Sequence, residues 1–253
     1  MDPLSASASA MQAFQQKQAV TANNVANANT QGFSPSRAEL AAQPQAAQQG
    51  TGASAVTAAG NGVAVGAVNR LGAGEVAGLQ TTGRSLDVAI NGNGLLPVET
   101  GDGQAFTRAG SLQTNGDGQV TDANGNPVAG DIKLPVGASN AAVGRDGTVT
   151  YESANGQRQE AGQIEVAAFA NPAGLEARGD GLFQATQASG APNRGEPGTG
   201  GRGALESGAL EASGTSLVNS MVDLIQAQRA FEANTGAFQT ADQMRQSALD
   251  ITT

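Results

Sequence analysis

The sequence contains no cysteine, no histidine and no tryptophan, and only 3% of its residues are aromatic. Without cysteine the chain can form no disulfide, and without histidine it lacks the commonest zinc ligand and the usual general base at neutral pH. The hydrophobic fraction is 39%, much of it alanine, so bulky core residues are scarce. We therefore expect several small core clusters and no bound cofactor.

Positive charge is also scarce, because 13 Lys and Arg against 22 Asp and Glu give a formal net charge of −9. Nucleic acids and anionic membranes both bind basic surfaces, so neither is an expected partner. No apolar run approaches the roughly 18 residues that a membrane span needs. The N-terminus also lacks the basic start and apolar stretch of a cleaved signal peptide. The sequence predicts neither membrane insertion nor signal cleavage.

Residues 4–31 predict a first helix, because apolar or small residues recur there at spacings of three and four. Its stripe is Leu4, Ala8, Met11, Phe14, Val25 and Ala28. A helix this weakly amphipathic depends on packing for its stability. Asparagines crowd its last turns, and Gly32 followed by Phe33 predicts a left-handed C-terminal cap with the aromatic ring folded back. The alternative is a helix that frays into a polar loop.

A second helix is predicted from Leu217 to Ile251, where apolar positions alternate at spacings of four and three, as in a heptad seam. The seam is Leu217, Met221, Leu224, Gln228, Phe231, Thr235 and Phe238, widened by Val218, Val222 and Ile225. At about 1.5 Å per residue this helix would be roughly 50 Å long. We expect the two terminal helices to pair as a coiled coil within a subunit, while their remaining faces pack between subunits.

In the middle of the chain, a low-complexity segment is followed by segments in which apolar residues recur at every second position. Residues 34–60 predict a linker or surface loop, because they offer little apolar area for burial. Alternation at Leu86, Val88 and Ile90 then predicts a half-buried strand. Glycine-rich turns separate further short strand candidates, and a second loop is predicted over residues 189–203. These strand candidates are residues 104–108, 119–122, 148–152, 163–169 and 182–185.

The predicted fold class is therefore α+β, with long terminal helices paired as a coiled coil and an antiparallel β-rich domain inserted between them. Residues 1–33 and 214–253 form the helical part. Residues 34–75 and 196–213 form a connecting region with a low-complexity loop, and residues 76–195 form the β-rich domain.

The sequence contains no complete metal-binding motif. The segment that begins at Asp122 opens like an EF-hand loop, but Pro127 occupies the position that requires glycine. Lys133 occupies the position of the bidentate acid. The other aspartate–glycine pairs are explained by hairpin turns, which need positive φ. We expect no metal site.

A catalytic site is likewise not predicted. A glycoside hydrolase needs two carboxylates placed across a cleft, and Asp102, Asp117 and Asp146 are all accounted for by turns. No phosphate-binding loop is present, and Gly92-Asn93-Gly94 lacks the third glycine of a dinucleotide loop. We therefore expect a protein that is not an enzyme.

Two terminal segments resemble signatures of the bacterial flagellar axial proteins, the family of rod, hook and hook-associated subunits. Residues 22–33, ANNVANANTQGF, are similar to its N-terminal signature, A-x-N-N-[LIV]-A-N-x-x-T-x-G-[FY], and match every specified position from the paired asparagines, Asn23 and Asn24, to Phe33. Residues 221–232, MVDLIQAQRAFE, are similar to its C-terminal signature. A motif as long as the first is a specific signal.

Segments of the middle resemble the rod–hook branch of the same family. Residues 85–94, SLDVAINGNG, and residues 106–112, FTRAGSL, are similar to two of its strand elements. Residues 124–130 are similar to its turn ending in PVxG. Residues 143–149 and 190–192 are most similar to distal-rod subunits, and the resemblance covers nearly the whole chain except residues 41–62.

The resemblance implies a structural subunit of the flagellar rod that polymerises helically into a homo-oligomeric tube, the drive shaft that carries torque from motor to hook. It implies export through the flagellar export apparatus and a periplasmic position in the basal body, reaching towards the outer membrane. Implied partners are neighbouring rod and hook subunits and surrounding ring proteins. The alternatives are a hook or proximal-rod subunit or, from another class, a stand-alone β-rich binding module on a coiled-coil stalk.

The residues expected at the assembly interface lie in both terminal segments. In the N-terminal segment they are Leu4, Met11, Phe14, Asn23, Asn24, Val25, Asn27 and Phe33. In the C-terminal segment they are Leu217, Met221, Leu224, Ile225, Phe231 and Phe238.

Overall fold

The computed structural model describes residues 3–43, 62–70 and 78–251, and these residues form two compact units. The helical unit comprises the described residues of Met1–Ala26, Ser36–Asn69 and Ser216–Thr253. The β unit comprises those of Asn27–Pro35 and Arg70–Thr215. The two ends of the chain therefore belong to one unit, and a short N-terminal segment belongs to the other.

Two long helices, α1 (Pro3–Ala26) and α2 (Leu217–Ile251), pack against each other in the helical unit. The bounds of α2 are those predicted from the sequence. Its N-cap is Ser216, whose Oγ accepts a hydrogen bond from the Asn219 N–H at 3.4 Å. Neither helix is long and apolar enough over its described residues to cross a membrane.

The face that α2 buries differs in part from the predicted seam. Leu224, Phe231 and Phe238 are half-buried, as expected of seam residues, but Leu217 and Met221 are exposed. The fully buried positions carry small side chains, namely Ser220, Ala227 and Ala241. Small residues let neighbouring backbones approach closely, so the seam follows these positions, and Leu217 and Met221 turn outward.

Helix α1 ends at Ala26, and the prediction that it continues to residue 31 is wrong. Residues 27–32 form turns, in which the Thr30 N–H donates to the carbonyl of Asn27 at 3.0 Å. The Thr30 hydroxyl also donates to the Asn27 side chain at 3.1 Å. Asparagine side chains compete with the helix for local hydrogen bonds, which explains the early end. Gly32 does adopt the predicted left-handed conformation, with φ 63°.

A two-stranded hairpin of β1 (Ser36–Ala42) and β2 (Val63–Arg70) completes the described helical unit, and β1 packs against α1. The prediction of a structureless linker from residue 34 is therefore wrong for β1. Residues 44–61, which include most of the predicted low-complexity loop, lie outside the described residues. The hairpin is tied to α1 through the Val63 N–H, which donates to the Ser9 hydroxyl at 3.3 Å.

The β unit consists of short strands whose described pairings are all antiparallel, as predicted. A 3-10 turn covers Pro172–Gly174. The strands are β3 (Leu79–Thr81), β4 (Val88–Asn91), β5 (Leu96–Thr100), β6 (Gly103–Thr107), β7 (Gln113–Thr114), β8 (Val120–Thr121), β9 (Ser139–Val143), β10 (Thr148–Glu152), β11 (Arg158–Gln163), β12 (Val166–Ala168), β13 (Glu176–Gly179), β14 (Leu182–Gln184), β15 (Asn193–Gly195), β16 (Ala204–Ser207) and β17 (Ala209–Glu211).

These strands form one four-stranded sheet, in the order β13-β14-β6-β5, one three-stranded sheet, β11-β10-β9, and several two-stranded pairs. Strands β16 and β17 pair with β4 and β3, which lie far earlier in the chain. The predicted strand over residues 148–152 coincides with β10. The predicted strand over residues 163–169 is too long, because the ladder is interrupted between β11 and β12. The loop and connecting region predicted between residues 189 and 213 contain β15, β16 and β17.

The core of the β unit is divided into two clusters. The larger cluster is aliphatic, and Ile90, Leu96 and Leu205 at its centre are at most 1% exposed. The smaller one contains Phe106 and Phe183. Strand β4 was predicted to be half-buried, but Val88, Ala89 and Ile90 are all buried. That prediction is wrong because the side of β4 that carries Ala89 is covered as well.

Candidate assembly interface

Most of the predicted interface residues are only partly covered. The half-buried ones are Met11, Phe14, Val25, Asn27, Phe33, Leu224, Phe231 and Phe238. Asn23 is exposed and Asn24 is buried, while Leu217, Met221 and Ile225 are among the exposed large hydrophobic residues. The side chain of Leu4 lies outside the described part of the chain. The structure therefore leaves apolar surface on α2 uncovered.

The first turns of α2 carry a contiguous apolar surface, which we call the apolar strip. It consists of Leu217, Val218, Met221, Val222 and Ile225, each between 47% and 72% exposed. Helical spacing places these residues on one side of α2, away from the buried Ser220, Ala227 and Ala241. Further along α2, the same side carries polar residues such as Glu232, Gln239 and Gln243. A contiguous exposed apolar surface of this kind is typical of an interaction site, which makes the apolar strip a candidate subunit contact.

Asn24 has a different role, because its side chain is used inside the helical unit. Its Nδ2 donates to the Ser36 carbonyl at 2.7 Å, and its Oδ1 accepts from the Ser36 N–H at 2.9 Å. The amide thus satisfies both backbone groups of the first residue of β1. Asn24 fastens the hairpin to the end of α1.

Replacing Asn24 with alanine is expected to lower the free energy of unfolding by about 1–3 kcal/mol, because both Ser36 backbone groups lose their partner. Thermal or urea unfolding of the full chain measures this. Asn29, exposed in the turns that follow α1, is the matched control, and Asn29→Ala is expected to change stability by less than about 0.5 kcal/mol. Equal effects of the two substitutions would contradict this role of Asn24.

The end of the N-terminal signature, Gly32 and Phe33, belongs to the β unit. The Gly32 N–H donates to the Glu211 carbonyl at 3.1 Å, and the Phe33 carbonyl accepts from the Gly214 N–H at 3.0 Å. Gly32 lies flat against the backbone of Arg108, where a Cβ atom would come within 2.8 Å of the Arg108 carbonyl carbon. Glycine is therefore required at position 32 both for its positive φ and for this close approach.

A buried ion pair between Arg108 and Glu211 lies beneath this contact, and the sequence analysis did not identify it. The Arg108 Nε donates to the Glu211 carboxylate, and both side chains are at least 96% buried. The remaining guanidinium nitrogens donate to the carbonyls of Ile90, Gly92 and Gly94 at 2.8–3.2 Å. The only hint of this ion pair in the sequence is an arginine directly after the strand β6. Its partner cannot be identified from a local pattern, because Glu211 lies 103 residues further along the chain.

The acidic turns have structural roles. The Asp122 carboxylate accepts from the backbone N–H groups of Asn124 and Asn126 and from the Asn126 amide, at 2.8–2.9 Å. Within the described ranges, no group of three or more acidic side chains could hold a metal ion. The residues that open like an EF-hand loop thus form a self-contained turn.

Two exposed aspartates have a pKa below the ordinary aspartate value. The Lys133 ammonium, by hydrogen bond and charge, lowers the pKa of Asp131, and the Thr148 hydroxyl and N–H lower the pKa of Asp146. A lowered pKa in the folded state stabilises the fold above the ordinary aspartate pKa, and this is lost as the pH falls through the lowered value. Both groups are exposed to solvent, so the effect on stability is small. Neither is placed to act as a catalytic acid.

Comparison with known families matches three parts of the chain. Residues 4–33 match the family "Flagella basal body rod protein". Residues 89–151 match "Flagellar hook protein FlgE/F/G D1 domain", and residues 206–251 match "Flagellar basal body rod FlgEFG protein C-terminal". The matches thus include the N-terminal signature, Arg108 and the whole of α2.

Comparison with individual proteins extends the similarity to nearly the full length. The chain is 36% identical to the flagellar basal-body rod protein FlgG of Bacillus subtilis, over 96% of each chain. It is 38% identical to FlgG of Caulobacter vibrioides, over 99% of each. The flagellar hook protein FlgE of Salmonella typhimurium is 41% identical over 109 residues, which are 43% of this chain and 27% of the hook protein.

Proposed function

The chain belongs to the family of flagellar basal-body rod proteins of the FlgG type, and from this premise we propose that it polymerises helically into the distal rod. It is a structural subunit of the rod and not an enzyme. The proposed role is mechanical, because a shaft carries torque through packed subunit contacts. A heterologous contact that does not close into a ring generates such a helical tube.

The apolar strip is the observation that carries this proposal. Its five side chains are exposed on α2, and helical polymerisation supplies a neighbouring subunit to cover them. We infer that α1 and α2 pair as a coiled coil and form the inner wall of the tube, with residues 76–195 outside. The Thr235 hydroxyl of α2 donates to the Met11 sulphur of α1 at 3.5 Å, a side-chain contact between the two helices that supports their pairing.

The predicted interface residues keep their proposed role, with the apolar strip adding Val218 and Val222. Neighbouring rod and hook subunits and the surrounding ring proteins are the proposed partners. We also propose that the chain is exported by the flagellar apparatus and works in the periplasm, spanning towards the outer membrane. A hook subunit is the weaker alternative, since the hook relative matches over only 27% of its own length.

Truncation tests which unit drives assembly. A chain lacking residues 1–26 and 216–253 is expected to keep a folded β unit, measured by cooperative thermal unfolding, and to be absent from purified basal bodies. The cut must spare residues 27–35, because they belong to the β unit. A truncated chain that still entered the rod would contradict assembly through the terminal helices. A truncated chain that failed to unfold cooperatively would contradict the independence of the β unit.

A further inference from the structure

Glu211 connects two parts of the β unit that are distant in sequence. Its carboxylate accepts from Arg108, while its backbone carbonyl accepts from the N–H of Gly32. Gly32 in turn lies on the backbone of Arg108. Arg108, Glu211 and Gly32 therefore form a closed set of contacts.

These contacts join the two segments through which the chain enters and leaves the β unit next to the helices. Residues 27–35 directly follow α1, and residues 209–214 lie shortly before α2. The Gly214 N–H also donates to the Phe33 carbonyl at 3.0 Å, so the two segments are hydrogen-bonded to each other as well.

The energetics make Arg108 the centre of this arrangement. A guanidinium that is 2% exposed is stable only when its charge is compensated and its N–H groups are hydrogen-bonded. The carboxylate of Glu211 and the carbonyls of Ile90, Gly92 and Gly94 supply this compensation. If Glu211 moves away, the buried charge of Arg108 loses its counter-ion, so separation of this pair is strongly unfavourable.

We propose that Arg108 is the positioning residue of a joint that holds the segment after α1 and the segment before α2 together on the β unit. The two segments stay attached, or detach, as one. In the rod, where the proposed function places the protein under torque, this joint holds the segment after α1 and the segment before α2 on the β unit at a single point.

Hydrogen exchange of the purified full-length chain tests the joint without requiring rod assembly. In Arg108→Gln, the backbone amides of residues 27–35 and 209–214 are both expected to lose protection by about a hundredfold, the effect of leaving one member of a buried ion pair uncompensated. Val149→Ala is the control, because Val149 is fully buried in the aliphatic cluster and lies outside the joint. The control should lower protection across the β unit without singling out these two segments.

Loss of protection confined to the two segments together would support the joint. Loss in only one segment, loss spread evenly over the β unit, or no loss would overturn it. If Arg108→Gln does not fold, the same criteria apply to Glu211→Gln, which keeps the side-chain volume and removes only the counter-ion. Assembly is scored separately by the presence of each variant in basal bodies, so a failure of the proposed rod function is distinguishable from a failure of the joint.

Discussion

Replacing Gly110 with alanine is expected to lower the free energy of unfolding by at least about 3 kcal/mol, and the melting temperature by about 10 °C. Gly110 lies two residues after Arg108 in the segment FTRAGSL, and its carbonyl accepts a hydrogen bond from the Val88 N–H at 2.9 Å. A Cβ atom at Gly110 would lie 1.6 Å from the Val88 carbonyl oxygen. Because that oxygen belongs to the backbone of the buried strand β4, the clash can be relieved only by moving the strand.

Gly116→Ala is the matched control for this substitution. Gly116 is exposed in the turn before β8, and a Cβ atom there would meet no atom within 4 Å. Its substitution is expected to be neutral or slightly stabilising, because alanine reduces the freedom of the unfolded chain. Thermal unfolding followed by circular dichroism compares the two variants. A melting temperature of Gly110→Ala equal to that of the control would show that β4 is packed differently.

Introducing aspartate at both Val218 and Val222 is expected to reduce incorporation into the rod by at least about a hundredfold, because two uncompensated carboxylates would be buried at each subunit contact. Both valines lie in the apolar strip and are exposed in the single chain, at 72% and 47%. Each change should alter the stability of the isolated protein by less than about 0.5 kcal/mol. Quantification of the variant in purified basal bodies measures the loss.

The control places the same charges on the same helix outside the strip. Gln239 and Gln243 are exposed on the side of α2 that continues the strip, and Gln239→Asp with Gln243→Asp should be incorporated. If Val218→Asp with Val222→Asp entered basal bodies as well as the control pair, the apolar strip would not be a subunit contact.

Local patterns in the sequence were sufficient for α2 and for some of the strands. The heptad spacing of α2 lies within one continuous segment, so the helix from Leu217 to Ile251 could be predicted in full. The sequence predicts Val218, Val222 and Ile225 as a widening of the seam, and the fold leaves all three exposed, together with the seam residues Leu217 and Met221. Strand β10 was equally predictable, since turn residues flank it closely on both sides.

Other features depend on partners distant in sequence, and no local pattern reports them. The turn that follows α1, for example, is held by the hydrogen bond from the Gly32 N–H to the distant Glu211 carbonyl. Strands β16 and β17 are short and lie beside a glycine-rich segment, and their ladders form with β4 and β3. The ion pair of Arg108 and Glu211 likewise arises only from the folded topology.

Imaging of tagged subunits in purified basal bodies tests whether the protein is a subunit of the distal rod. A tag on an exposed turn of the β unit, such as the one that contains Gly116, leaves both helices and the apolar strip unaltered. For a distal-rod subunit, label is expected along the straight shaft between the membrane rings. Label on the curved segment outside the cell would reassign the protein to the hook, and absence of label from every axial part would contradict the rod function.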